Sequence, residues 1–385
     1  MVKETISKNI QNLDKFKARR MIEAFRYGIV PYDCVEDFTF GREQEIQKLM
    51  DWLINDEKII LILEGEYGTG KTHLLNYLYW RALYEDFVVA YADIDLSDSP
   101  FNKPKRVYAK LIQSFKFRSK SDGQFKGFRD FLNEALKKGV FEDHRYFRYL
   151  IKGPQDEDRE DIWDWIEGQG GIRPPGYSPF FPTMYEYSNA YNIYCYLLSA
   201  LGWASKEVFK YKGFLLIFDE AETIWFDIRN LIKGLKFLEA LCQTAKNDPE
   251  LLKPPSWSNL WSNRCYKYSN YIPFIYKKPS GLKLLFAFTE FTSFFTQFGE
   301  FPQPLKLKSL EEKVLKEVFE HIYQLYTKAY NFDIKDSKLK EMIFNKVKKE
   351  ILRNGVTRFF IKGPVEALDL IRHNPEENLE NILNE

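Results

Sequence analysis

Cysteine, histidine and methionine are scarce here, at 4, 4 and 5 of 385 residues. The cysteines, Cys34, Cys195, Cys242 and Cys265, stand far apart, so neither a disulfide framework nor a CxxC zinc site is indicated, and a reducing cytoplasm is the expected compartment. His144, His321 and His373 are scattered and form no Cys/His cluster at metal-ligand spacing. Net charge is nearly absent as well: 56 Lys and Arg against 55 Asp and Glu leave +1. That excludes a globally basic nucleic-acid binder and an acidic disordered chain, so any nucleic-acid surface must be local. No window approaches ~18 uninterrupted apolar residues, and the start MVKETISKNIQNLDKF lacks the apolar stretch of a signal peptide. A soluble, non-exported chain without a membrane span is expected.

What is present is apolar and aromatic, 45% hydrophobic and 17% Phe, Trp or Tyr, in a length that allows two or three domains at ~150 residues each. The most informative run is KIILILEGEYGTGKTHLLNYLYW. Ile59 to Leu63 reads as a buried strand, Gly65 to Thr72 as a glycine loop, and His73 to Trp80 as an amphipathic helix. Gly65, four residues, then Gly70-Lys71-Thr72 satisfies the phosphate-loop pattern GxxxxGK[ST]. The chemistry follows from the residue types. Gly65, Gly68 and Gly70 free the backbone to turn N–H groups toward a phosphate at a helix start, where the helix dipole favours anions. Lys71 would reach the β- and γ-phosphates, and the Thr72 hydroxyl would serve Mg²⁺, which prefers hard oxygen ligands. The expected nucleotide-binding set is Gly65, Glu66, Tyr67, Gly68, Thr69, Gly70, Lys71, Thr72 and His73. His73 is also read more simply as a residue of the first helical turn.

A second buried strand, Gly213 to Phe218 in KGFLLIFDEAETIW, ends in Asp219-Glu220, a Walker B pattern. Asp219 would hold Mg²⁺ through its water shell, and Glu220 can polarise the attacking water, because phosphoryl transfer needs a positioned base more than covalent chemistry. The competing reading makes Asp219 an N-cap. A third strand, Leu282 to Phe288, ends in Thr289, where a polar side chain could sense the γ-phosphate or simply close the strand. With Val88 to Ile94 and a short strand near Pro304 to Leu307, five strands joined by helices predict a doubly wound α/β sandwich with its ligand at the strand carboxyl ends.

The order ARRMIEAFRYGIVP, FTFGREQEI, GEYGTGKTHLL, DIWDWIEG, YKGFLLIFDEAE, LLFAFTEF and TRFFIKGPVEALDLI resembles the AAA+-like ATP-binding proteins of BREX phage-defence systems, and more remotely initiator-type AAA+ and STAND ATPases. The resemblance spans most of residues 18–372. It implies a P-loop NTPase fold of AAA+-like kind, a three-layer αβα core with a parallel five-stranded sheet, a helical insertion and a C-terminal helical lid. It also implies that Gly41-Arg42 closes one side of the adenine pocket, with Val35, Phe38 and Phe40 available to line it. Arg358 falls at the sensor 2 position on the lid, where a guanidinium can reach the γ-phosphate, although Thr357 stands where that motif usually carries Pro or Gly. The alternative for Arg358 is a surface ion pair. Arg229 and Arg264 lie between the acidic pair and the sensor strand, yet neither stands out as an arginine finger.

Expected organisation is an N-terminal helix and linker over 1–40, a core over 41–307 and the lid over 308–385. Ile22, Phe25 and Ile29 form an apolar stripe expected to pack on the core. Two insertions interrupt that core, at about 98–212 and 248–280. The first opens with nine Lys or Arg against one Asp in NKPKRVYAKLIQSFKFRSKSDGQFKGFR and later holds seven acids against one Arg in QDEDREDIWDWIEG. These blocks can be solvated faces, pair with each other, or pair between subunits. The second, Leu251 to Ser280, has five basic residues, seven aromatics and no acids. Trp257, Trp261, Arg264, Tyr266, Lys267, Lys277 and Lys278 are its nucleic-acid candidates, since rings stack on bases and cations hold phosphates; aromatics covering the core are the competing explanation. The functional expectation is an ATPase using ATP and Mg, with Lys71, Asp219, Glu220, Thr289 and Arg358 as its working residues, coupling nucleotide state to lid movement in a DNA-associated complex with protein partners or further copies of itself. The alternative is a nucleotide-gated scaffold with little hydrolysis. A small-molecule kinase fits less well, because no arginine-rich clamp is evident.

Overall fold

The computed structural model describes residues 13–31, 34–152, 160–175, 181–258, 261–289, 301–354 and 357–374. Its helices are α1 (Lys15–Phe25), α2 (Glu43–Ile54), α3 (Lys71–Tyr84), α4 (Pro104–Ser114), α5 (Phe128–Lys137), α6 (Arg148–Lys152), α7 (Glu160–Ile166), α8 (Tyr191–Trp203), α9 (Leu231–Ala245), α10 (Glu312–Tyr330), α11 (Ser337–Asn354) and α12 (Thr357–His373). Its strands are β1 (Ile60–Glu64), β2 (Phe87–Asp93), β3 (Phe117–Arg118), β4 (Phe125–Lys126), β5 (Gly213–Asp219), β6 (Leu282–Phe288) and β7 (Leu305–Lys306). The main sheet has the order β2-β5-β6-β1-β7, and β2–β5, β5–β6 and β6–β1 pair in parallel. A small antiparallel hairpin, β3–β4, stands apart from it.

Contacts divide the chain into two compact units that interleave in sequence. One gathers the described residues of Met1–Leu49, Gly65–Leu78 and Lys306–Glu385, the other Met50–Glu64 and Tyr79–Leu305.

The larger unit is built on β5 and β6, every residue of which is buried. Strands buried along their whole length and largely apolar, with Lys283 and Asp219 as charged exceptions, require cover on both faces. Phe218 and Phe286 stack at 4.9 Å, and Phe101 packs against both. The stretch between β2 and β5 adds its apolar residues to this same core: Tyr108 and Leu111 of α4, Phe131 of α5, Trp165 of α7 and nearly all of α8. Its opposed charge blocks meet through Arg129. Arg129 forks onto Glu160 and Glu167, each at 2.6 Å, and buried Lys105 donates to the Gly170 carbonyl and pairs with Glu186. Much of the acidic run, 153–159, lies outside the described residues.

Helix α8 meets the start of β6 backbone to backbone. A Cβ on Gly202 would stand 2.3 Å from the Ser280 carbonyl oxygen, and one on Gly281, at φ +66°, 2.2 Å from the Gly202 oxygen. Backbone cannot move aside as a flexible side chain can, so Gly202→Ala is expected to destabilise the protein by about 3 kcal/mol. Urea unfolding of the variant should show a lower midpoint at an unchanged slope; an unchanged midpoint would contradict the packing described.

In the smaller unit, Ala18, Met21, Ile22 and Phe25 of α1 join Leu315, Phe319, Ile322, Phe360 and Leu368 in one apolar cluster. The N-terminal stripe packs on the C-terminal helices, and Ile29, expected to belong to it, is exposed. Arg26 fixes the arrangement: its guanidinium forks onto both oxygens of Asp369 at 2.8 and 2.9 Å, and Tyr326 donates to the same carboxylate. Helix α12 runs through Pro364.

His321 of α10 lies among the rings of Phe38 and Phe40, at 5.5 and 5.1 Å, and burial pushes its pKa down to about 4. The unfolded chain takes up that proton near pH 6.5, the folded chain only near 4, so protons favour unfolding between the two. This stability is fully present above pH 6.5 and is lost as pH falls through 4; it amounts to roughly 3 kcal/mol. Thermal melts at pH 7 and 4.5 should show a smaller acid-induced drop for His321→Phe than for the unsubstituted chain. An equal drop in both would show that His321 carries no such linkage.

Candidate phosphate loop and acidic strand ends

The β1 strand ends at Glu64 and the chain passes into Gly65–Gly70 before α3 opens at Lys71. Gly68 and Gly70 sit at φ +82° and +93°, backbone that a side chain would disfavour. At Gly70 an added Cβ would meet nothing within 4 Å, whereas at Gly65 it would strike the Thr69 hydroxyl at 2.7 Å and Leu307 at 3.0 Å. The loop is thus tight on one side and open on the other. The buried Lys71 ammonium donates to the Gly65 carbonyl at 2.7 Å, and the Thr69 hydroxyl to the Glu66 carbonyl at 2.8 Å. Thr72 and Tyr67 are exposed.

Arg42 supports this loop from inside. It is buried, donates to the carbonyls of Thr69 and Lys308 at 2.7 Å each, and pairs with Glu45 at 3.3 Å. Burial holds its pKa below the usual arginine value. Gly41, at φ +62°, abuts Val314 of α10. Val35, Phe38 and Phe40 are buried, with Phe38 and Phe40 packed on His321 and Phe38 also on Phe25. His73 shares a hydrogen bond of 2.8 Å with the Thr39 hydroxyl. Burial, then the positive charge of Arg42, lowers its pKa to about 4, so the ring is neutral at pH 7.

The acidic strand end belongs to the other unit. Because β1, β6 and β5 run parallel side by side, with Glu64 opposite Phe288 and Phe218 opposite Phe286, their carboxyl ends lie along one edge of the sheet. Asp219 is buried there. One of its oxygens accepts from the Tyr91 hydroxyl at 2.7 Å, the other from the Glu220 N–H at 2.9 Å. Asp93 of β2 stands opposite Asp219 in register, and its pKa is raised by burial and by the Asp219 charge. Glu220 adopts a left-handed conformation, φ 53° and ψ 32°, uncommon outside glycine and suggestive of a functional constraint. Thr289, at the end of β6, donates its hydroxyl to Glu222.

Tyr91 and Glu222 were not singled out in the sequence. A signal existed for Glu222, since DEAE places another acid in a turn otherwise lined by Ala221 and Ile224. None existed for Tyr91, whose bond to Asp219 spans 128 positions. Arg358 lies on α12, its side chain outside the described residues.

The aromatic-basic segment divides by placement. Trp261 is buried with Phe274 at 4.9 Å, and Ile272 and Ile275 join the same core. Arg264 pairs with Glu239 at 3.3 Å and lies over the Trp261 ring; Lys277 pairs with Asp143 at 3.1 Å and lies over Trp203. Tyr266 packs against Tyr185 and Tyr187. Trp257, Lys267 and Lys278 are exposed.

No helix among the described residues is long and apolar enough to cross a membrane. No curated protein matches the chain closely enough to count as a relative. Residues 13–145 match the family described as BREX system ATP-binding protein BrxC/D. This segment is well under half of the chain; it contains Arg42 and the whole phosphate loop and ends before the acidic strand. Over that stretch the chain resembles the BREX ATP-binding proteins.

Proposed function

We propose that the protein binds ATP with Mg²⁺ and hydrolyses it, as an AAA+-like P-loop protein whose nucleotide state moves the C-terminal helices, within a DNA-associated defence assembly. The observation that carries this reading is the loop Gly65–Thr72. Its lysine is buried at a helix start, Gly68 and Gly70 are turned to positive φ, and its open side lies at Gly70. Backbone N–H groups and a fixed cation at a helix N-terminus make an anion site suited to a polyphosphate. Thr72 and Asp219 offer the hard oxygens that Mg²⁺ accepts, the remainder coming from phosphate and water; the metal would neutralise charge on the transferring phosphoryl group. In hydrolysis the water oxygen forms the new bond to the γ-phosphorus, the bond to the ADP oxygen breaks, and the water's proton passes to Glu220. Thr289, at the end of the strand between β1 and β5, completes the set. Arg358 and Arg42 would report the nucleotide state and brace the loop, respectively.

The resemblance to BREX ATP-binding proteins supports ATP as the ligand and phage defence as the setting. Exposed Trp257, Lys267 and Lys278 support a nucleic-acid contact of modest size, with protein partners or copies of the chain supplying the rest. The test is binding of a fluorescent ATP analogue together with steady-state ATP hydrolysis, at low salt, with and without single- and double-stranded DNA. Binding with turnover that DNA stimulates is expected. Tight binding without turnover would favour the nucleotide-gated scaffold, and absence of binding would overturn the proposal.

A further inference from the structure

The basic block that opens the stretch between β2 and β5 is only partly neutralised. Lys105, Lys110, Lys126 and Arg129 each pair with a carboxylate. Lys116, Arg118 and Lys120 pair with none among the described residues. They lie on aromatic rings instead: Lys116 on Trp80 at 4.9 Å, Arg118 on Tyr84 at 5.3 Å and Lys120 on Tyr211 at 4.8 Å. Strand alternation produces this arrangement, because Phe115, Phe117 and Ser119 are buried and the residues between them point the other way. Lys116 exchanges two main-chain hydrogen bonds with Val89, in the first half of β2 and on the edge of the main sheet, which sets the β3–β4 hairpin away from the strand carboxyl ends. Beside it Tyr84 and Phe125 are exposed, and Phe125 meets Trp80 and Tyr84 edge-to-face at 5.3 and 5.6 Å. Other cations take carboxylates of this region: Lys126 pairs with Asp122 and Glu134, and Arg81 and Lys212 pair with Glu85.

A ring attracts a cation through its face but leaves most of the N–H donors unspent. Lys116 and Arg118 are thus held in place without being neutralised, and Lys120 gives one donor to the Lys210 carbonyl. Alternate residues of an extended strand stand ~6.6 Å apart, close to the step between successive phosphates of an extended nucleic-acid strand. We propose that the β3–β4 hairpin, with Tyr84 of α3, is a contact for single-stranded DNA, its cations Lys116, Arg118 and Lys120 on phosphates and its exposed rings Tyr84 and Phe125 on bases. A single strand offers both the charge and open base faces, whereas a duplex keeps its bases stacked inside. The inference rests on the DNA-associated reading above and gives it a surface other than Trp257, Lys267 and Lys278. All the residues it uses belong to the larger unit.

The experiment follows the fluorescence anisotropy of labelled oligothymidylate, and of a labelled duplex, titrated with the full chain across about 50 to 200 mM salt. Replacing Lys116, Arg118 and Lys120 together by Gln is expected to weaken oligothymidylate binding at least about tenfold at low salt and to flatten the log–log salt slope by about 2. Tyr84→Ala is expected to weaken it at least about fivefold at an unchanged slope. The charge-conserving set Lys116→Arg, Arg118→Lys and Lys120→Arg should stay within a few-fold of the unsubstituted chain. Should the Gln set fail to fold, Lys120→Glu at the exposed turn takes its place, with a loss of at least about fivefold expected. Unchanged affinity in the Gln set or its substitute, tighter binding of the duplex than of the single strand, or a loss confined to Lys267→Gln with Lys278→Gln would overturn this proposal alone. An unsubstituted chain that binds neither oligothymidylate nor duplex at low salt overturns the DNA-associated reading and this proposal together.

Discussion

Replacing Glu220 with Gln is expected to lower ATP turnover by about 100- to 10,000-fold while nucleotide affinity stays within a few-fold of its starting value. The substitution keeps shape and hydrogen-bonding reach but removes the basic oxygen that takes the water's proton. Two features make it a clean test. Glu220 is not a core residue, so the exchange leaves no cavity, and its left-handed backbone is one that Gln can hold at about the same strain as Glu. Asp219 keeps its bonds from the Tyr91 hydroxyl and from position 220, since the latter comes from the main chain. Steady-state hydrolysis beside a nucleotide titration separates the outcomes. Turnover that survives in Glu220→Gln would remove this residue from the base role.

The second large effect is expected at Lys71. Its ammonium lies on the Gly65 carbonyl at 2.7 Å and is almost fully enclosed. Lys71→Ala therefore removes both the cation that a polyphosphate would meet and an internal clasp of the loop. A charge-assisted hydrogen bond contributes about 1.5–3 kcal/mol, and Lys71 is proposed to make more than one to the β- and γ-phosphates. Nucleotide affinity is expected to fall by at least about a hundredfold, at 1.4 kcal/mol for each factor of ten. Lys71→Arg should not restore it, because a planar fork cannot take the place of a point charge in so tight a loop. Titration of a fluorescent nucleotide reads both variants, and wild-type affinity in Lys71→Ala would exclude the loop as the phosphate site.

The strands were legible because they are nearly continuous apolar runs with sharp ends, Lys283 being a charged exception inside one of them. Gly213 to Phe218 and Leu282 to Phe288 needed little more than the rule that a strand buried on both faces shows no alternation. The loop was legible because its chemistry is local: eight consecutive residues contain the glycines, the cation and the hydroxyl. Contacts between distant positions were not legible. Tyr91 on Asp219 and Glu222 on Thr289 depend on which strands are neighbours, and no local pattern states that. The same limit applies to the segment Leu251 to Ser280. Its composition suits both a nucleic-acid surface and a packing layer, and only the placement of Trp261, Cys265, Ile272, Phe274 and Ile275 in the core separates the residues that pack from those that face solvent. Ile29 misled for a related reason: helical spacing extends a stripe past Phe25, but the helix ends there.

The interleaving of the two units has a consequence for how the molecule comes into being. Everything in the larger unit has been synthesised once Leu305 leaves the ribosome, and it can bury its sheet and helices at that point. The smaller unit cannot, because α1 and the phosphate loop find their partners in α10 and in residues near Leu307, which emerge later. Until then Gly65–Leu78 is held out as an unfinished segment, and its closure waits on contacts more than 200 positions away, as in Arg42 with Lys308. Long-range closure of this kind is slow and leaves apolar surface open to aggregation meanwhile. A nascent chain would thus become competent for nucleotide only after α10 has been synthesised, and nucleotide that favours the closed loop would act on it as a folding ligand before it ever served as fuel.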